Sequence, residues 1–272
     1  MNELLEVSRV LITFFFLGLS SWYDFKTREV PNKVWAAYAP TAVALTLLQF
    51  YVDSSVGYGL IPYAWLISIG ITTAISLILF YAGFFGGADA KALICLGLAL
   101  PIYPSIVSGY LAGRVPFFPL AVLGNAVLAA SLLVLGIAGY NTIQLIKENG
   151  RLFEGLENEP VWSKILAFAT GFKVSSQKLK DGSHYMLLEQ FSRGENGEAV
   201  RRLRLFPALE EESSEEDEER FEELLNEVDG KVWVTPGLPF LIFITLGFVA
   251  ALFVGDFISW LVLQVFPVFA TV

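Results

Sequence analysis

Polar and apolar residues are segregated along this chain into long blocks. Apolar stretches run over Leu4–Trp22, Val34–Val52, Leu60–Phe85, Ala90–Leu100, Phe117–Tyr140 and Pro236–Val254. About 20 apolar residues cross the hydrocarbon core of a bilayer as a helix, so the pattern predicts six membrane-spanning helices. The fourth stretch is the weakest, because Pro101 and Pro104 interrupt the chain just beyond it. It is expected to be tilted, broken or continued irregularly to Val107, since irregular backbone at membrane depth needs partners that a helix supplies by itself. The first stretch has neither a cationic leader nor a small-residue cleavage site, and reads as a retained first helix.

Between the fifth and sixth stretches lies the one long polar block, about Lys147 to Trp233. Within it, Val161, Ile165, Phe168 and Phe172 recur at helical spacing behind Glu159 and Pro160, which suit a helix start, so Pro160–Phe172 reads as a short amphipathic helix. Tyr185–Phe191 and Ala199–Phe206 read as two strands joined in a hairpin through Arg193-Gly194-Glu195-Asn196-Gly197. An acidic run, Glu210–Glu223, comes next; it reads as a solvated linker, or as a negative surface that attracts a basic peptide. The expected fold is therefore an all-α polytopic membrane protein with six transmembrane helices and a small α+β cytoplasmic insertion between helices 5 and 6. The corresponding domains are 1–146, with helices 1–5; 147–233, the acidic insertion; and 234–272, with the last helix and a tail.

Composition supports a lipid solvent. Hydrophobic residues make up 55% of the chain and aromatics 14%, with a mean hydropathy of +0.59, too apolar for an ordinary soluble domain. The net charge of −9 arises mainly in the acidic run and argues against a nucleic-acid partner. Orientation is read from the basic residues. With the N-terminus outside, Lys26, Arg28, Lys33, Lys91 and every Lys or Arg from Lys147 to Lys231 are cytoplasmic, leaving Arg9 and Arg114 outside. A single cysteine, Cys95, permits no intrachain disulfide and no Cys-rich zinc site. The only histidine, His184, falls in the polar block, and no phosphate loop, His-Glu-x-x-His helix or Gly-x-Ser-x-Gly elbow occurs. No metal or other cofactor is called for.

The chemistry then rests on acids. Asp24 follows the first apolar stretch, and Asp89 follows the third in the phrase Gly86-Gly87-Ala88-Asp89-Ala90-Lys91. Carboxylates near membrane depth are rare and mostly functional, because an ionised group costs several kcal/mol there (roughly 2.5 or more at mid-bilayer). Two carboxyls that share a proton can divide the work of peptide hydrolysis: one takes a proton from water, the other polarises the carbonyl and protonates the leaving amine. The same orientation that satisfies the basic residues puts both acids on the cytoplasmic side. Gly86 and Gly87 are expected to let the backbone leave the helix and approach a peptide. Lys91 is expected to support Asp89 electrostatically, bind a lipid phosphate, or anchor the helix end. Asp256 falls at the opposite face.

Two phrases, Tyr23-Asp24-Phe25-Lys26-Thr27-Arg28-Glu29-Val30-Pro31-Asn32 and Gly86-Gly87-Ala88-Asp89-Ala90-Lys91, resemble the active-site motifs of the type IV prepilin peptidases, membrane aspartyl proteases of the Gly-x-Gly-Asp type. Within that family the chain is most similar to the archaeal preflagellin peptidases, which have six helices, a cytoplasmic insertion before the last, and a Val-Thr-Pro lead-in to it like Val234-Thr235-Pro236. The resemblance implies catalytic roles for Asp24 and Asp89. It also implies a cut between the basic leader and the apolar helix of a preflagellin or type IV prepilin-like precursor. Ala88 stands at the motif position where many members carry glycine. With Cys95 alone, the paired Cys-x-x-Cys motifs of the bacterial methylating enzymes are absent, so that activity is not carried over.

Two other readings share some of these features. Presenilin-like and signal peptide peptidase-like enzymes also pair Tyr-Asp with Gly-x-Gly-Asp, and Pro236-Gly237-Leu238 echoes their Pro-Ala-Leu, but they have about nine helices. A proton-coupled transporter would use the acids for coupling, and no inverted repeat is evident.

Overall fold

The computed structural model describes residues 2–54, 61–106, 117–175, 185–193, 199–204, 231–236 and 239–265; Arg114, His184, the expected hairpin turn from 194 and the acidic run Glu210–Glu223 lie outside them. Eight helices and five strands are described: α1 (Asn2–Thr27), α2 (Asn32–Ser54), α3 (Ile61–Tyr81), α4 (Gly87–Ala99), α5 (Phe118–Lys147), α6 (Val161–Thr170), α7 (Phe240–Phe253), α8 (Phe257–Val265), and β1 (Phe172–Ser175), β2 (Tyr185–Leu187), β3 (Glu189–Arg193), β4 (Ala199–Leu203) and β5 (Lys231–Pro236). Four helices, α1, α2, α3 and α5, are long and apolar enough to cross a membrane. The other two expected spans, α4 and α7, form helices of 13 and 14 residues, short of the usual crossing length. The chain divides into two units, one of 1–131 with 239–272 and one of 132–238.

In the first unit α4 is the hub. It packs against α1, α2, α3 and α7 and buries Ala92, Leu93, Leu96 and Ala99 among Leu17, Tyr38, Phe118 and Phe248. Its brevity has a local and a tertiary cause. Pro101 has no N–H and biases the residue before it away from helical geometry, so the helix stops at Ala99. The exposed carbonyls of a helix end must then find donors, all the more in an apolar surrounding. Arg9, in α1, supplies two: its Nε and Nη2 donate to Ala99 O at 3.0 and 2.6 Å. The Thr46 hydroxyl of α2 lies 2.9 Å from Leu98 O and 3.0 Å from Ala99 O, and Ser68 of α3 donates to Pro101 O at 2.6 Å. Three neighbouring helices thus close one helix end. Helix α7 approaches α5 closely through Gly247, where a Cβ would run into Val122 O and Ala126 N, a small-residue contact of the kind that joins helices without a hydrophobic drive. Asp256, buried, caps α8 by accepting from Ser259 N at 3.0 Å and from the Ser259 hydroxyl.

The second unit holds the end of α5, a 3-10 turn at Arg151–Phe153, α6 and all five strands. β5 is the centre of a three-stranded antiparallel sheet in the order β1-β5-β2, with Phe172 opposite Val234 and Leu187 also opposite Val234 on the other side. β3 and β4 form a separate antiparallel pair, Glu189 opposite Leu203. The expected strand Tyr185–Phe191 therefore splits at Leu188: its first part joins β5, and only its second part forms the hairpin. The break is held by Leu188 N donating to Trp233 O at 2.9 Å and Arg204 N to Leu188 O at 2.7 Å. Val234-Thr235-Pro236 lies in β5, and the next helix begins at Phe240. Trp233 is fully buried with Leu152, Leu156, Ala167 and Leu188 and stacks on Phe153 with ring centroids 4.8 Å apart. Glu189, also buried, accepts both Arg201 Nε and Nη2 at 2.8 Å and Trp233 N at 2.6 Å, so its charge is fully engaged as burial requires.

Helix α6 forms over Val161–Thr170, close to the expected Pro160–Phe172, and the apolar residues at helical spacing divide between two environments. Its buried residues are Ser163 and Ala167, and Phe168 packs on the same cluster, while Val161 and Ile165 are exposed.

Candidate active site

Asp24 occupies the last turn of α1 and Asp89 the first turn of α4. These two helices pack together, and the charge of Asp24 acts on Asp89 through space. The two sequence phrases are also joined directly: Lys91 Nζ donates to Asn32 Oδ1 at 2.8 Å, linking the last residue of the first phrase to the last of the second. Lys91 is thereby placed as a strut between the starts of α2 and α4.

The termination of α1 shapes the surroundings of Asp24. Arg28 adopts a left-handed backbone, φ 62°, and its N–H donates to Asp24 O at 3.1 Å. Glycine is the usual residue at such a helix end, because a Cβ there costs on the order of 1 kcal/mol. The Thr27 hydroxyl lies 2.9 Å from both Tyr23 O and Glu29 O, fixing the turn that Arg28 begins. The Arg28 guanidinium acts electrostatically on the Asp24 carboxylate, and the Leu241 backbone N–H, in the first turn of α7, also faces it. Nearby, Ser21 Oγ donates to Leu241 O at 3.0 Å and lies 2.8 Å from Thr245 Oγ1. Arg28, which the sequence offered only as a topology signal, is thus a neighbour of the acid; its position one turn beyond Asp24 was the available clue.

Asp89 is held by its own helix. The Gly86 N–H donates to Asp89 Oδ2 at 3.0 Å, so the carboxylate caps the start of α4 where backbone N–H groups carry partial positive charge. Gly86 itself is extended, φ −71° and ψ 160°, a conformation open to any residue. What glycine provides at 86 is room: a Cβ there would stand 3.3 Å from Asp89 Oδ2. At Gly87 a Cβ would meet Phe80 at an ordinary 3.8 Å. Ala88 is half-buried against the core of the first unit.

Both acids are partly exposed and sit among exposed aromatics: Trp22 and Phe25 beside Asp24, Tyr81 and Phe84 before Asp89. Such residues favour the boundary between headgroups and hydrocarbon. Among the described residues, no three of His, Cys, Asp and Glu come together as a candidate metal site. What the arrangement offers is two partly exposed carboxyl groups from different helices, with a cation and a backbone donor beside Asp24.

Comparison with known proteins bears on what such a pair does. Residues 11–138 match the type IV leader peptidase family, and residues 163–257 match the archaeal peptidase A24 C-terminus, type II. The preflagellin peptidase of Methanococcus voltae is 26% identical over 252 residues, covering 91% of this chain and 95% of that protein. The preflagellin peptidase of Methanococcus maripaludis is 28% identical, covering 88% and 92%, and that of Methanocaldococcus jannaschii is 26% identical, covering 92% and 95%.

Proposed function

Because the chain belongs to the type IV leader peptidase family, we propose that it is a membrane aspartyl endopeptidase that removes the short basic leader from preflagellin or type IV prepilin-like precursors. The observation that carries this reading is the meeting of the two acid phrases, whose helices α1 and α4 pack together and whose last residues, Asn32 and Lys91, are hydrogen-bonded. In this reading α4 and α7 complete a set of six crossings. Segment 147–233 is the cytoplasmic insertion, and the N-terminus is outside, so that both acids face the cytoplasm.

The reaction is set by the two carboxyls. The ionised member takes a proton from a water whose oxygen attacks the scissile carbonyl carbon. The protonated member gives its proton toward the carbonyl oxygen, and the C–N bond breaks as a proton passes to the leaving nitrogen. The products are a new carboxyl end on the leader and a free amine on the mature protein. Asp24 and Asp89 together perform these roles, and their titration belongs to the pair. Gly86 keeps the space beside the Asp89 carboxylate open, and the exposed Trp22, Phe25, Tyr81 and Phe84 suit the apolar helix of a precursor arriving from the bilayer.

The test is cleavage of a preflagellin-like precursor by the purified protein in lipid, followed by mass, with Asp24→Asn and Asp89→Asn as variants. Asparagine at 89 can still accept the Gly86 N–H, so the helix start survives. Cleavage at one bond before the apolar helix, reduced about 10³-fold or more in both variants, supports the proposal. A variant that cleaves at the wild-type rate removes that aspartate from the mechanism, and no cleavage of any such precursor by the wild type refutes the substrate class.

A further inference from the structure

The outward face of α6 has no partner among the described residues. Val161 is 71% exposed, Trp162 57%, Ile165 61% and Leu166 39%, and these four lie on one side of a helix whose opposite side, Ser163 and Ala167, is buried against the cluster of Leu152, Leu156 and Trp233. A contiguous apolar face of this kind marks a binding surface. The place where α6 is fixed identifies its partner. Asn141 Nδ2, in α5, donates to Phe168 O at 2.7 Å and to Gly171 O at 2.6 Å, and Thr235 Oγ1 donates to Thr170 O at 2.8 Å. Leu145 of α5 packs on the same cluster. Phe168 O in α6 and Gly171 O just past its end are thus tied to one point on a helix of membrane-crossing length.

That point has a depth. α5 has 30 residues, about 20 suffice to cross the hydrocarbon core, and Asn141, Thr142, Gln144 and Lys147 gather at its C-terminal end, so the surplus falls there and runs through the headgroup layer. Asn141 falls in this part, in company with exposed Tyr140, Ile143 and Ile146. The chain that follows, 147–164, is amphipathic and mixed in charge, with Lys147, Arg151 and Lys164 beside Glu148, Glu154, Glu157 and Glu159, so its affinity for the interface rests on the apolar face and Trp162.

We propose that Val161, Trp162, Ile165 and Leu166 dock on the bilayer surface, with α6 lying among the headgroups and its apolar face toward the acyl chains. The insertion is then a lipid-bound module at its α6 edge, not a domain free in solution. This rests on α5 crossing the membrane, but not on the peptidase activity.

The test uses the full chain in proteoliposomes, with Cys95→Ala as background and one new cysteine carrying an environment-sensitive fluorophore. Ile165→Cys reports the docking face, Glu157→Cys an exposed site of the same unit, and Leu135→Cys the lipid-exposed side of α5. Docking predicts that the 165 label is quenched by iodide several-fold less than the 157 label, and at least twofold more by nitroxide-bearing phospholipid. Equal iodide quenching at 165 and 157 overturns the proposal. Protection of 165 from both quenchers also overturns it, since protein then covers the face. If 135 escapes the lipid quencher, the membrane reading of α5 fails along with it; if 135 is quenched and 165 is not, docking alone fails. Adding Trp162→Glu to the 165 reporter is expected to restore iodide access without unfolding, because Trp162 is already exposed.

Discussion

Helices α4 and α5 are built on opposite principles. α5 runs 30 residues with Leu132, Leu135, Ile143 and Ile146 exposed, and closes its own hydrogen bonds along its length. α4 has 13 residues, most of them buried, and its ends are completed by side chains: Asp89 at the start, Arg9 and Thr46 at the finish. A helix that only has to cross lipid can be specified by apolar composition. A helix that has to put an acid at a given place is specified by the groups that stop it.

Substitutions should separate the two cases. The largest effect is expected within α4: Leu96→Ala, at a side chain with no exposure, opens a cavity that costs about 2–4 kcal/mol, read as a fall in the unfolding midpoint in nanodiscs. An unchanged midpoint would mean that α4 is not the packing centre. Next comes Arg9→Leu, which removes two of the three hydrogen bonds to the Ala99 carbonyl, leaving only the Thr46 hydroxyl, and should cost about 1–3 kcal/mol. Precursor cleavage should fall alongside it, with Arg9→Lys recovering part of both; a leucine variant as stable as the wild type would show that the end of α4 needs no closure. The smallest effect belongs to α5. Leu135→Ala, at a position 67% exposed, should stay within about 0.5 kcal/mol of wild type. A loss comparable to that of Leu96→Ala would mean that protein, not lipid, covers α5.

The sequence was most readable where composition or a short motif decides the outcome. The long apolar stretches became α1, α2, α3 and α5, and Pro101 marked the end of α4 within two residues. The two acid phrases were legible because glycine, aspartate and lysine are conspicuous beside apolar runs. Arg9 was read only as a topology signal, although a cation inside an apolar run asks for partners; one of them, Ala99 O, is 90 residues away and carries no mark in the sequence. The split at Leu188 was hidden for the same reason, since β2 and β3 choose partners according to where β5 and β4 lie. Periodicity located α6 but not its orientation. It shows that a helix has an apolar side and not whether protein or lipid receives it, and here Ser163 and Ala167 face the protein.

The closure of α4 at Arg9 makes the helix a gauge. With one end pinned to Ala99 O, the place and direction of Asp89 are set by the number of residues between. Each residue adds about 1.5 Å of length and about 100° of turn. One residue more between Leu93 and Leu96 would leave every bond at the pinned end intact and swing the acid to another side of the bundle. The count of residues in α4 therefore decides where Asp89 stands as much as the identity of any residue along it.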